Sequence, residues 1–174
     1  MLINYLEKVG VKFGANLNAF TAQEQTCYNM SSVPLNREGI VDTCLLILHD
    51  WSHFISLEHE EIDNERGVII EELRTRNDAN WRLNEKTRPV MVNYSKYGER
   101  NIIGSIDGLK SFTYQDIKDF YNRWYRPDLQ AVVVVGDFNA DEMVEKIKKV
   151  MSDIPAVENP EPKQVIKIEG NDEP

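Results

Sequence analysis

Apolar positions recur at two spacings along this chain, and the changes between them divide it into helices and strands. Leu2, Tyr5, Leu6 and Val9 share one helical face and Gly10 follows them, so residues 2–9 read as the end of a helix. Leu17 to Thr21 and Thr26 to Val33 read as strands joined by a polar turn, Ala22-Gln23-Glu24-Gln25, with Pro34 closing the second. That arrangement predicts a β-hairpin. Glu38 to Phe54 predicts an amphipathic helix with Ile40, Val41, Cys44, Leu45 and Leu48 facing inward. A longer helix follows from about Glu58 to Trp81, with Ser56 as N-cap, and Lys86 to Tyr94 predicts a further short one. Thr113 and Asp116 have the spacing of a capping box and open a helix that runs through Phe120 and Trp124 to a stop at Arg126-Pro127. Leu129 to Val135 is a short, β-branched apolar run ending at Gly136-Asp137, the pattern of a buried strand. Asn139 and Glu142 then cap a last helix through Met151. Prolines and charges dominate from Pro155 onward, which divides the chain into a domain, residues 1–155, and a linker or tail, residues 156–174. Val165 to Ile168 fits one short strand within that tail. A hairpin, several helices and a late strand predict an α+β layer fold rather than a doubly wound sheet.

Within the long helix, Glu65 and Glu72 stand seven residues apart, almost two full turns, and so project in nearly the same direction. Ile62, Ile69 and Leu73 form the apolar stripe, with the two glutamates along its border while Glu61 and Glu71 turn to water. A carboxylate at the margin of a core is costly unless an arginine, a hydrogen-bond network or a metal neutralises it. A solvated Glu- and Arg-rich face fits the same spacing.

Charge narrows the partners. Lys+Arg 20 against Asp+Glu 29 gives a net charge of −9 over 174 residues, which argues against nucleic acid or an anionic membrane surface. No apolar run reaches transmembrane length, and the start lacks the basic and apolar regions of a signal peptide. Cys27 and Cys44 are too few for a disulfide scaffold or thiolate zinc site and sit in apolar stretches, as buried free thiols do.

The chain has three histidines. His49 and His53 lie four apart on a helix, a spacing that can bind zinc. The thermolysin-type motif needs Glu directly after the first His, where Asp50 stands, and the inverted motif needs Glu before the second, where Ser52 stands. Both histidines therefore read as a solvated helix end, and His59, among Glu58, Glu60 and Glu61, as a surface group. No phosphate loop, nucleophile elbow or Cys-x-x-Cys pair occurs. The aromatic cluster Phe120, Tyr121, Trp124 and Tyr125 reads as packing rather than a base-stacking platform.

Three stretches, in order, resemble the pitrilysin and insulinase-like zinc metallopeptidases. They are Gly14 to Thr21 with Glu24, Thr26 and Tyr28; Glu65-Arg66-Gly67-Val68-Ile69-Ile70-Glu71-Glu72; and Phe120 to Pro127 through Val132 to Asp137. Arg100 to Gly104 resembles the family's loop after the long helix. The resemblance runs from residue 1 to about Pro155 and is closest to bacterial, periplasmic-type members, which implies a periplasmic location.

The resemblance implies a layered antiparallel or mixed sheet packed with helices, the half-domain of mitochondrial-processing-peptidase-like proteins, usually present in two related copies that enclose a chamber. It implies Zn2+ as the cofactor of the full-length protein, with Glu72 as the distal zinc ligand and Glu65 supporting it from behind. Asn18 and Ala19 match the edge strand whose backbone pairs with an extended peptide substrate. One element is absent. The family's inverted motif, His-x-x-Glu-His, supplies two ligands and the general base, and this sequence contains none. In relatives it precedes the distal glutamate by about 75 residues, which falls just upstream of Met1. The expectation is an N-terminally truncated peptidase domain, without its first strands and motif helix, that alone neither binds zinc tightly nor cleaves peptides. The rival expectation is a non-catalytic domain of the same family that forms a chamber wall or a binding surface. Loss of the first strands also predicts an exposed sheet edge prone to self-association.

Overall fold

The computed structural model describes Val11 and residues 14–170. The helix expected over residues 2–9 lies outside the described residues. The described elements, in chain order, are β1 (Leu17–Thr21), β2 (Thr26–Met30), α1 (Ile40–His53), α2 (His59–Thr75), α3 (Ala79–Met91), α4 (Lys96–Glu99), α5 (Ile106–Ser111), α6 (Tyr114–Trp124) and α7 (Ala140–Met151), with a 3-10 turn at Pro127–Leu129. The architecture is helix-rich α+β. Among the described residues, no helix is long and apolar enough to cross a membrane. Among the described residues, those up to Ser56 form one compact unit with Asp119–Glu158, and Leu57–Lys118 form a second with residues 159–170.

In the first unit β1 and β2 pair antiparallel, with Leu17 opposite Met30, Ala19 opposite Tyr28 and Thr21 opposite Thr26. The turn closes where the Ala22 amide donates to the Gln25 carbonyl at 2.8 Å. Leu17 is the one buried residue of β1 and packs with Val11, Ile40 and Ile47. Met30, Val33, Val41, Cys44 and Trp51 lie against that cluster. Of the stripe its periodicity predicts, helix α1 buries Ile40 and Leu45 and half-buries Val41, Cys44 and Leu48, and it buries Ile47 and His49 as well. Helix α7 lies against α1, and Lys146 reaches back to Asp42 at 2.6 Å. Its start is fixed by Asn139, whose side-chain oxygen accepts from the amides of Asp141 (3.0 Å) and Glu142 (3.2 Å).

In the second unit α5 packs on α2, and α4 on α3. Gly98 of α4 is where a side chain is excluded, since a Cβ there would lie 2.7 Å from the Pro89 Cα. The expected capping box is present: the Thr113 amide and hydroxyl donate to the Asp116 carboxylate at 2.7 and 2.8 Å, and the Asp116 amide returns a bond to Thr113 Oγ1 at 3.2 Å.

Five expectations need correction. The helix from Glu58 to Trp81 is two helices, α2 and α3, broken at residues 76–78, because Asp78 caps a new start by accepting from the Trp81 amide at 2.7 Å. Glu58, not Ser56, holds the N-cap position of α2, and the short helix over Lys86 to Tyr94 is the second half of α3. Leu129 to Val135 is not a strand, and Val133 and Val135 are 80% and 92% exposed. A strand needs a neighbour for its ladder, and none of the described segments pairs with this one. Val165 to Ile168 is likewise not a strand and leaves Val165 exposed. That segment is instead held at its ends: the Asn93 side chain donates to the Glu169 carbonyl (2.9 Å), and Lys96 donates to Gln164 (3.3 Å).

Candidate metal centre and substrate edge

Helix α2 is positioned within its unit by one residue between the two glutamates' flanks. Arg66 donates from its guanidinium to the carbonyls of Leu109 and, at 3.2 Å, Phe112, and its carbon centre sits 3.8 Å over the Phe112 ring. Those carbonyls belong to the last turn of α5 and the residue that follows it, whose oxygens lack intrahelical partners. Asp63, 3.5 Å from the Arg66 Nε, holds the other side of the guanidinium. Tyr114 donates to that same Asp63 at 2.5 Å and stacks on His59 at 3.9 Å, and the bond to the carboxylate pushes the Tyr114 phenol pKa up. The Glu-Arg sequence alone marked Arg66 only as a family match. Its structural use depends on backbone more than 40 residues away.

Glu65 and Glu72 are both exposed. The border position expected from the apolar stripe is not a packed one, since only Ile62 of that stripe is buried. Glu72 forms an ion pair with Arg76 one turn on. Seven residues of helix put about 10 Å between the two backbone positions. Zinc–oxygen bonds run only about 2 Å, so this spacing suits one ligand with one more distant supporter rather than two ligands on one ion. Among the described residues there is no group of three or more His, Cys, Asp and Glu side chains that could hold a metal. The residues present therefore do not fit a hydrolytic zinc, which needs three protein ligands and an open position.

His49 and His53 are not a solvated helix end. His49 is 8% exposed, and its two ring nitrogens face carboxylates, Nδ1 at 2.9 Å from Asp50 and Nε2 at 2.8 Å from Asp153. Burial disfavours its charged form, but the hydrogen bonds to the two aspartates outweigh that and raise its pKa. The same contact lowers the pKa of Asp153. His53 Nδ1 lies 3.2 Å from the Tyr125 carbonyl. Of the aromatic cluster expected to pack, Tyr121 is buried and Trp124 and Tyr125 are half-buried, whereas Phe120 is exposed. The Tyr28 and Tyr125 hydroxyls meet at 2.6 Å, Tyr121 donates to the Trp51 carbonyl at 2.8 Å, and burial, with Tyr125 adding to it, pushes the Tyr28 phenol well above its usual range. Cys27 and Cys44 are free and half-buried, and burial raises the Cys44 pKa.

Asn18 and Ala19 are exposed on β1, and among the described residues β2 is the sole strand paired with β1. The Ala19 amide donates to the Asn18 side-chain oxygen at 2.8 Å. An exposed strand of this kind can accept an added strand.

Comparison with known proteins adds three observations. The profile of insulinase, peptidase family M16, matches residues 1–100, and that of the peptidase M16 inactive domain matches residues 111–172. The probable zinc protease PqqL of Escherichia coli (strain K12) is 34% identical over 155 residues, covering 89% of this chain and 16% of the relative. Among solved structures, the first half of the periplasmic protease PqqL from Escherichia coli matches with a TM-score of 0.88 at 32% identity, over 98% of this chain and 36% of that one. The ferredoxin protease FusC, solved in complex with Arabidopsis ferredoxin, matches with a TM-score of 0.82 at 26% identity, over 92% of this chain and 18% of that one. This chain thus spans 16% of the length of that curated relative.

Proposed function

This chain belongs to the insulinase family of peptidases, family M16, and on that premise we propose that it contributes to a zinc metalloendopeptidase that hydrolyses peptide bonds with a metal-activated water. Glu72 is the distal zinc ligand, Glu65 supports it, and Asn18 and Ala19 offer β1 to an extended peptide substrate. The observation that supports this most is the placement of Glu65 and Glu72 on α2 with both side chains open to solvent, where neither is used by the chain's own core. A substrate strand at β1 would compete with the Asn18 side chain for the Ala19 amide.

Lacking His-x-x-Glu-His, the chain alone neither holds zinc tightly nor cleaves peptides, and a second homologous domain or subunit completes the chamber. Zinc stoichiometry after dialysis, together with a peptidase assay on the isolated chain, tests this. One tightly bound zinc per chain with turnover overturns it. The second reading, a non-catalytic chamber-forming or binding domain of the same family, has one observation in its favour, the match of residues 111–172 to the inactive-domain profile. Adding a fragment that carries the inverted motif separates the two: zinc uptake that depends on Glu72 supports the catalytic half, and uptake indifferent to Glu72→Ala supports the chamber wall.

By likeness to the periplasmic PqqL structure, the protein acts in the periplasm. Retention in the spheroplast fraction after osmotic shock would count against that. Open sheet edges also lead us to expect self-association through strand pairing, which a concentration-independent monomer in light scattering would refute.

A further inference from the structure

One cleft in the second unit starts at Leu73, next to Glu72, and has neither Glu65 nor Glu72 in its lining. It has a volume of about 460 Å³ and is walled by the end of α2, the first half of α3 and the loop leading into α5. Leu73 and Ile106 supply apolar lining, and the half-buried Trp81 indole stands beside them. Around that lining are Arg74, Arg82 and Lys86, against the single carboxylate of Glu85. Arg74 is paired with Glu71 just outside the lining, which leaves Arg82 and Lys86 as its other cations in a chain whose net charge is −9.

The anion is occupied elsewhere, since Glu85 faces Arg88 at 3.2 Å. Arg82 is anchored by one nitrogen, which donates to the Asn77 carbonyl at 3.0 Å and leaves the rest of its planar fork for another acceptor. Lys86 is exposed on the next turn of the same helix, where its ammonium adds a mobile positive charge. A guanidinium fork and an ammonium over an apolar and indole floor match a carboxylate attached to an apolar neighbour. The size is that of a small-ligand pocket, enough for one or two side chains of a peptide.

We infer that this cleft binds a carboxylate-bearing peptide segment, with Arg82 and Lys86 on the carboxylate and Trp81 against the adjacent apolar side chain. Two sources carry this chemistry, an acidic side chain within a peptide and a free peptide C-terminus. The inference needs neither zinc nor turnover, so its failure leaves the peptidase reading untouched.

Isothermal titration calorimetry on the full chain tests it with three short peptides. One has internal Leu-Glu and blocked ends, one carries Leu-Gln with blocked ends, and one carries Leu-Gln with a free C-terminus. The Glu peptide, the free-terminus peptide or both should bind about tenfold tighter than the blocked Gln peptide, and which of them does so identifies the source. That preference should vanish in Arg82→Gln/Lys86→Gln and in Lys86→Glu, and should shrink as salt rises from about 0.05 to 0.5 M. Unchanged circular dichroism in the variants shows that the fold is retained, and Lys86→Gln alone serves if the double variant loses structure. Equal binding of all three peptides, no saturable binding, or a preference that survives both Lys86 variants overturns the inference.

Discussion

Replacing His49 with alanine removes a contact that ties the end of α1 to the residues just after α7. Both ring nitrogens sit within hydrogen-bond distance of a carboxylate oxygen, so the ring donates twice only as imidazolium. Charge-assisted bonds of this kind contribute about 1.5–3 kcal/mol each when dry. Asp50 and Asp153 are 59% and 67% exposed, so solvent screens both partners, and about 1 kcal/mol each is the fitting magnitude. Loss of the stacked Phe54 contact, with ring centres 4.6 Å apart, adds about 0.5–1 kcal/mol. The variant should therefore lose about 3 kcal/mol, a fall in Tm of roughly 6–12 °C for a chain of this size.

The sign of the pH dependence follows from the two shifts. His49 titrates higher in the folded protein than its ordinary 6.5, so its contribution is complete below that value and is lost as pH rises through the folded pKa. Asp153 titrates lower than its ordinary 3.8, so its contribution is present above that value and is lost as pH falls through the folded pKa. The gap between wild type and His49→Ala should thus be widest between about pH 4.5 and 6 and should narrow by about pH 9. Thermal unfolding followed by circular dichroism across that range measures it. A gap that is constant with pH, or that widens toward alkaline pH, refutes the imidazolium account. Asp153→Asn should also lower stability, by less than His49→Ala does, and show the same flattening above neutrality.

Two further outcomes concern α2. Arg66→Met removes the donors to the Leu109 and Phe112 carbonyls and the stack on Phe112, and should cost about 2–3 kcal/mol in urea unfolding; a loss below about 0.5 kcal/mol would show the carbonyls satisfied by water. Glu65→Gln and Glu72→Gln should each stay within about 0.5 kcal/mol of wild type, because both side chains are exposed and the Glu72–Arg76 pair is a surface ion pair. A loss of about 2 kcal/mol at either glutamate would mean that it serves the fold.

What the sequence discloses here is what neighbours in sequence can decide. The Thr113–Asp116 box, the Asn139 cap and the Ala22–Gln25 turn each close within four residues, and each appears where its pattern placed it. The break between α2 and α3 had a local signal too, Asp78 three residues before Trp81, but the apolar periodicity ran across it and hid the new cap. His49 had none. Its partner Asp153 is 104 residues away, and a histidine four residues from another on a helix looks the same whether solvated or clasped. The run from Val132 to Val135 shows the opposite failure: β-branched residues state a preference for a pleated, packed surface, and the ladder that would satisfy it must come from another segment.

The same distinction bears on Glu65 and Glu72. Their position on the border of an apolar stripe suggested carboxylates in need of a neutralising partner, an argument whose force depends on burial. Both are exposed, so no desolvation penalty calls for a metal, and an ordinary surface helix would tolerate glutamine at either place. Arg66, between them in sequence, shows the contrast, since its guanidinium is spent on the α5 carbonyls and an aromatic face of its own unit. Helix α2 thus carries one residue consumed by folding and two exposed glutamates, of which Glu72 has only a surface ion pair with Arg76. Burial and spacing give the two glutamates no role in the fold, and their reading as zinc ligand and support rests on the resemblance carried by the three stretches in order.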